Sequence, residues 1–130
     1  MSLYFGTLAG TAGVFGTSDG TGSAARFRNP YGVAVDSAGN VFVADAGSHT
    51  IRKVTSAGVV TTLAGTAGST GSTDATGSAA RFSAPLGVAV DSSGNVFVTD
   101  RNNHTIRKVT SVGVVTTLAG GSGSSGSTDA

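Results

Sequence analysis

Apolar residues in this chain come in short runs, each closed by Gly, Asp, Asn or Ser. Tyr31 to Val35, Val41 to Ala44, Thr50 to Thr55 and Val59 to Ala64 form one set, separated by Asp36-Ser-Ala-Gly39-Asn40, Asp45-Ala-Gly47-Ser48 and Ser56-Ala-Gly58. Runs of this length and bounding predict β-strands, here called a, b, c and d. No apolar spacing of i, i+3, i+4 is sustained over ten residues, so no amphipathic helix is expected. Connections of three to five residues can link only antiparallel neighbours, because a parallel crossover needs roughly a dozen or more. The pattern therefore predicts a four-stranded antiparallel meander. Asp36 and Asp91 each open a tight turn that the carboxylate caps, with Gly39 and Gly94 supplying positive φ.

The meander is written twice. Residues 6–60 return at 61–115 with 40 of 55 aligned positions identical, so that Pro30 recurs as Pro85, Asp45 as Asp100 and His49 as His104. The second set of strands is Leu86 to Val90, Val96 to Thr99, Thr105 to Thr110 and Val114 to Ala119, and a third copy begins at Thr116. Units repeated at a fixed period bury their apolar faces against one another. Strands a and b are apolar at consecutive positions, as in Gly32-Val-Ala-Val35 and Val41-Phe-Val-Ala44. Both faces of the sheet thus avoid water, which is unusual for an antiparallel sheet. Equivalent sheets stacked on either side explain it, and sheets stacked around an axis make a β-propeller. The expected fold is all-β, with two four-stranded blades in one repeat domain over residues 1–130. Residues 1–10 read as a strand-d remnant, 11–65 as the first blade, 66–120 as the second and 121–130 as the truncated start of a third repeat. The chain reads as a segment cut from a longer array, or as a designed copy of such a segment.

Two blades bury one joint and leave two apolar faces open. A few hundred Å² of exposed apolar surface on each would cost roughly 5 to 15 kcal/mol, comparable to the stability of a whole domain. Near-identical repeats allow the front of one chain to fit the back of the next, and such head-to-tail contacts close into rings. The expectation is a homo-oligomer, a trimer of six blades first and a tetramer of eight second. The local strand Val114 to Ala119 is expected to complete the second blade in preference to a neighbour's Tyr4 to Ala9, because a short loop closes at lower entropic cost.

Composition narrows the function. Charged residues are 12% and the net charge is +1, so no strong field draws nucleic acid or a membrane surface. There is no cysteine, no basic leader at the start and no apolar run of the ~18 residues a membrane helix needs. Cellular location is left open. The chain has no Glu, no Gly-x-Ser-x-Gly and no His-Glu-x-x-His, so general acid or base chemistry would fall on Asp or His alone. Neither an enzyme nor a cofactor is expected. Asp19-Gly-Thr-Gly22 offers one carboxylate where calcium takes about six to eight oxygens, and no metal site is expected. Asp45 is read as a structural partner of His49 or of Arg52, and Asp100 and Arg107 repeat that arrangement in the second copy.

The two copies differ at 15 positions, of which eight lie in the d-to-a connection and three in the b-to-c turn. In a meander blade these connections emerge on the same side, and loops on a rigid scaffold are where binding residues collect. The candidate binding face comprises Arg26, Arg28, Tyr31, Ala46, Ser48, His49, Arg81, Arg101, Asn102, Asn103 and His104, with a protein or a glycan as the partner.

The chain resembles the bacterial NHL-repeat propellers. The resemblance is carried by Asp19-Gly-Thr-Gly22, Ala25-Arg-Phe27, Pro30-x-Gly32-Val-Ala-Val-Asp36, Gly39-Asn-Val-Phe-Val-Ala-Asp45, His49-Thr-Ile-Arg-Lys53 and Thr62-Leu-Ala-Gly65, and again from Asp74 to Gly120. Ala75 departs from the pattern's usual Gly, and Ala46-Gly-Ser48 lacks the Asn that Asn103 restores. The resemblance implies a ring of about six blades. Some members of the family are lyases with metal and arginine at the central channel, and some animal members contact RNA. This chain is expected to be a non-catalytic, self-assembling repeat unit, with the loop-face binding module as the alternative.

Overall fold

A computed structural model of the chain describes residues 6–121 and residue 126. It contains β1 (Gly20–Thr21), β2 (Pro30–Val35), β3 (Val41–Asp45), β4 (Thr50–Val54), β5 (Val59–Ala64), β6 (Pro85–Val90), β7 (Val96–Asp100), β8 (Thr105–Val109) and β9 (Val115–Ala119). The strands form two antiparallel sheets, β2-β3-β4-β5 with β1 added at its outer edge and β6-β7-β8-β9. These are strands a to d of each repeat, with ends within a residue of the sequence expectation. β9 completes the second sheet from its own chain. Tyr4 and Phe5 of the strand-d remnant lie outside the described residues, and Gly6 to Ala9 form no strand. The third-repeat start lies mostly outside them as well.

The a-to-b turns form as expected. Asp36 Oδ1 accepts from the amides of Ala38 (3.0 Å) and Asn40 (2.8 Å), while Asn40 Nδ2 donates to Oδ2. Asp91 repeats this with Ser93 and Asn95. The side-chain amides of Asn40 and Asn95, and then the backbone amides, hold both carboxyls below their ordinary pKa.

The two faces of each sheet have different coverings. Val33, Val43, Arg52 and Thr62 stand opposite one another and share the front of the first sheet; Ala34, Phe42, Lys53 and Thr61 share its back. The front residues Val43, Val54 and Val60 pack under Ala25 and Phe27 of the chain's own connection. The back residues Phe42, Ala44, Ile51 and Ala64 pack on Val96, Val98, Val109 and Val115 of the second sheet, with Phe82 between. The back of one blade thus meets the front of the next. The inner edge is set by glycine: a Cβ on Gly32 would strike the Leu86 carbonyl oxygen and lie 3.1 Å from Gly87 Cα. β2 and β6 therefore run close together at the inner edge, and β5 and β9 lie outermost.

The connection from d to a differs from the sequence reading, which placed it on a loop face. Leaving β5, it passes the outer edge of the second sheet, where Gly77 N–H donates to Gly113 O (2.8 Å) and Thr76 bridges Val114. It then crosses the front of its own sheet to reach β6. Ala80 and Phe82 on this path have no solvent exposure. Part of the connection that was expected on the binding face thus fills the layer between blades.

Candidate functional site

At the centre of each blade a buried arginine fastens the crossing connection to the sheet. Arg52 on β4 donates from Nη1 to Asp45 Oδ2 (3.0 Å) and Arg26 O (2.9 Å), and from Nη2 to Asp19 Oδ1 (2.8 Å) and Ser18 O (3.1 Å). Its guanidinium lies 4.9 Å from the centroid of Phe27. Arg107 repeats the set with Asp100, Asp74, Arg81 O, Thr73 O and Phe82. Of the two partners expected for Asp45, the structure selects Arg52 over His49. Arg52, Arg107, Asp45 and Asp100 are all buried, where a charge persists only if paired and hydrogen-bonded. Asp19 and Asp74 also accept from the amides and hydroxyls of Thr62 and Thr117. Partial burial alone would raise the pKa of Asp74, but hydrogen bonds from Arg107 and Thr117 outweigh it and hold the carboxyl low. The Asp19 loop is thus an anchor, with its oxygens taken by protein donors. Among the described residues no three His, Cys, Asp or Glu gather as a metal set.

The candidate binding face divides. Ala46, Ser48 and Asn103 are buried and leave it. Ser48 Oγ bonds Asp45 and Thr50, while Asn103 Nδ2 donates to Asp100 Oδ2 and Gly71 O, both at 2.6 Å. Arg26 and Arg81 are half-buried clips whose Nη1 donates to backbone oxygens of their own connection, including Ala25 O and Ala80 O at 2.8 Å. Gly47 is small because Arg28 lies over it: a Cβ there would come 2.7 Å from Arg28 Cγ. In the second blade Ser83 stands in place of Arg28, and Asn102 fits there and donates its N–H to Ser83 O (3.1 Å). Some repeat differences are therefore paired within a blade. Arg28, Tyr31, Arg101, Asn102 and His104 remain exposed. The first two belong to the first repeat and the others to the second.

His49 has a role the sequence did not reveal. Its backbone takes a left-handed φ of 61°, and its Nδ1 accepts the N–H of Ala84 in the next blade at 3.0 Å. The neighbouring carbonyl of Ser48 accepts the N–H of Gly68 (3.2 Å). The b-to-c turn of one blade therefore grips the connection of the next. His104 has the same backbone form, φ 56°, but sits on the open back of the second sheet. There a depression of about 270 Å³ is lined by Thr99, Arg101, His104, Ile106, Ala119 and Gly120. The equivalent place on the first sheet is filled by Phe82 and Ala84, with Phe82 Cδ2 3.3 Å from a Cβ built on Gly65.

Stacked four-stranded meanders with their first strands innermost define a segment of a β-propeller. A family profile described as "NHL repeat" matches residues 82–109, and one described as "Teneurin NHL domain" matches residues 16–78. The chain belongs to the NHL-repeat proteins. It is 36% identical over 96 residues to the Arabidopsis thaliana protein SUPPRESSOR OF QUENCHING 1, chloroplastic, a match covering 73% of this chain and 9% of that protein. A crystal structure of a protein of unknown function from Bacteroides thetaiotaomicron superposes with a TM-score of 0.73 at 28% identity, over 83% of this chain and 26% of that one. An auxiliary nutrient binding protein from the same organism gives a TM-score of 0.66 at 26% identity, over 85% of this chain and 28% of that one. The chain thus spans about a tenth of the curated relative and about a quarter of these solved structures.

Proposed function

We propose that this chain is a non-catalytic propeller segment that joins end to end with copies of itself into a closed ring. Three chains make six blades; four chains making eight are the alternative closure. One observation carries the reading: residues open at the two ends have repeat equivalents already covered at the internal joint. Val33 and Val35 are 62% and 60% exposed, whereas their counterparts Val88 and Val90 pack against the first sheet. Ile106 is 39% exposed, whereas Ile51 has no exposure. Apolar patches of this kind favour association. The carboxylates Asp19, Asp36, Asp45, Asp74, Asp91 and Asp100 are engaged in turns or arginine anchors, which supports the absence of catalysis. The reading takes no cofactor and no nucleic-acid or membrane partner. Size-exclusion chromatography with light scattering tests it. Three or four times 12.6 kDa, falling on dilution, is the expected result; 12.6 kDa at every concentration refutes it.

A second reading is a protein- or glycan-binding surface built from the exposed Arg28, Tyr31, Arg101, Asn102 and His104. It is supported by their exposure and by the likeness to an auxiliary nutrient binding protein. A glycan array probed before and after exchanging Arg101-Asn102-Asn103 for the Ala46-Gly47-Ser48 sequence tests it: binding that does not change on exchange contradicts it.

A further inference from the structure

We infer that the joint between copies is chemically distinct from the joint inside a copy: the depression around Thr99, Arg101 and His104 receives residues 27–31 of a second copy, and the side chains at these two places are matched to each other. The inference rests on the ring reading above and names the contacts that make it selective.

The internal joint shows what kind of segment fits the depression. Phe82 enters beside Gly65, the N–H of Ala84 bonds His49 Nδ1, and the N–H of Gly68 bonds Ser48 O. Each participant has an equivalent at an open end: Phe27, Asn29 and Gly13 at the front, and Gly120, His104 and Asn103 at the back. Their backbones already agree. Asn29 and Ala84 have φ of 51° and 52°, Gly13 and Gly68 of 78° and 79°, and Gly120 and Gly65 both of 92°. These backbones let the joint be rebuilt between copies once Gly120 of a second copy takes the place beside Phe27 that the chain's own Gly10 now fills, as Gly65 fills it beside Phe82.

The side chains, in contrast, do not repeat. Inside the chain, the covered back carries Ala44 and Ala46, with 0% and 5% exposure, and the incoming segment carries Ala84 and Leu86. At the open ends the back carries Thr99 and Arg101, and the front carries Asn29 and Tyr31, with Phe15 beside them where the second repeat has Thr70. Tyr31 is 64% and Phe15 71% exposed. The internal joint is small against aliphatic; the open ends offer Arg101 at the back and the ring of Tyr31 at the front, the Phe15 ring being already held under the chain's own Arg28 guanidinium at 5.3 Å. These two surfaces meet only when copies join. An arginine over an aromatic ring is a favourable pair, and Arg and Tyr are the residues on which binding energy concentrates at interfaces. The nearly closed surroundings of Ala46 leave no room for an arginine, so the external type of side chain is excluded from the internal joint. That mismatch opposes exchange of blades between copies.

A four-way comparison by sedimentation of the 130-residue chain tests the matching. One variant converts the back to the internal type (Thr99→Ala with Arg101→Ala), a second converts the front (Asn29→Ala with Tyr31→Leu), and a third combines them. Each substitution installs the residue the other repeat carries at an equivalent backbone position, and circular dichroism melts confirm folding. Each pair alone is expected to weaken assembly by about tenfold, with most of that loss recovered in the combined variant, where both sides copy the internal joint. An intact ring whose assembly is unaffected by either pair, or weakened with no recovery on combination, overturns the matching and leaves the ring reading standing. A wild-type chain that stays single overturns both.

Discussion

Replacing Phe82 with alanine removes a ring that has no solvent exposure and sits 4.8 Å from the Arg107 guanidinium, between the two sheets. Burial of this completeness puts the loss at about 3–5 kcal/mol, including the cavity left behind. Phe27 holds the same place in the first repeat, 4.9 Å from Arg52, but its blade has an open front and the ring is only partly buried. With less area withdrawn from water, Phe27→Ala should cost about 1.5–2.5 kcal/mol in a separated chain. Urea titration followed by far-ultraviolet circular dichroism, at concentrations below assembly, measures both. A gap of about 2 kcal/mol between the two variants is expected. In assembled samples the gap should close, because the back of a second copy then covers Phe27 as the back of the first blade covers Phe82. Equal losses in separated chains, or a loss below about 1 kcal/mol for Phe82→Ala, would refute the stacking of back on front.

Asp100→Ala leaves the fully buried Arg107 with Asp74, 43% exposed, as its one carboxylate, and should destabilise by about 3–5 kcal/mol in the same titration. Asp19→Ala, which removes a partner 46% exposed and leaves Arg52 paired with Asp45, should cost about 1 kcal/mol or less; a reversal of that order contradicts the anchor. Asp36, Asp74 and Asp91 have folded pKa values below the ordinary 3.8, so the stability they supply is complete above that value and is lost as pH falls through the lowered values. Melting temperature should therefore hold from neutral pH down to the ordinary carboxylate range and drop below it. A melting temperature unchanged by acid would show that these turns and anchors do not matter to the fold.

The strands were legible because the repeat states each one twice, and because paired apolar neighbours such as Val41 and Phe42 require cover on both faces. The caps at Asp36 and Asp91 were legible because a tight turn is a local matter, fixed by residues two and four positions apart. The course of the d-to-a connection was not. Its differences between repeats suggested a loop free to bind, but Ala80 and Phe82 enter the layer between the sheets, and Ala25 and Phe27 cover the front of the first. The signal was present in Thr-Gly-Ser-Ala-Ala-Arg-Phe, unchanged between repeats while residues on both sides vary. His49 was illegible for a different reason. Its partner amide, Ala84, lies 35 residues away in the next blade, and spacing along one repeat says nothing about contacts between repeats. Ala46 and Ser48 misled similarly, since the second blade, together with the Asp45 network, encloses that turn.

Electron microscopy of the purified chain reaches the central claim most directly, by counting blades around the axis. Closed rings with an even number of blades, six as the leading case, are the predicted particles. Isolated two-bladed wedges, with Val33 and Ile106 bare to solvent, would contradict the account.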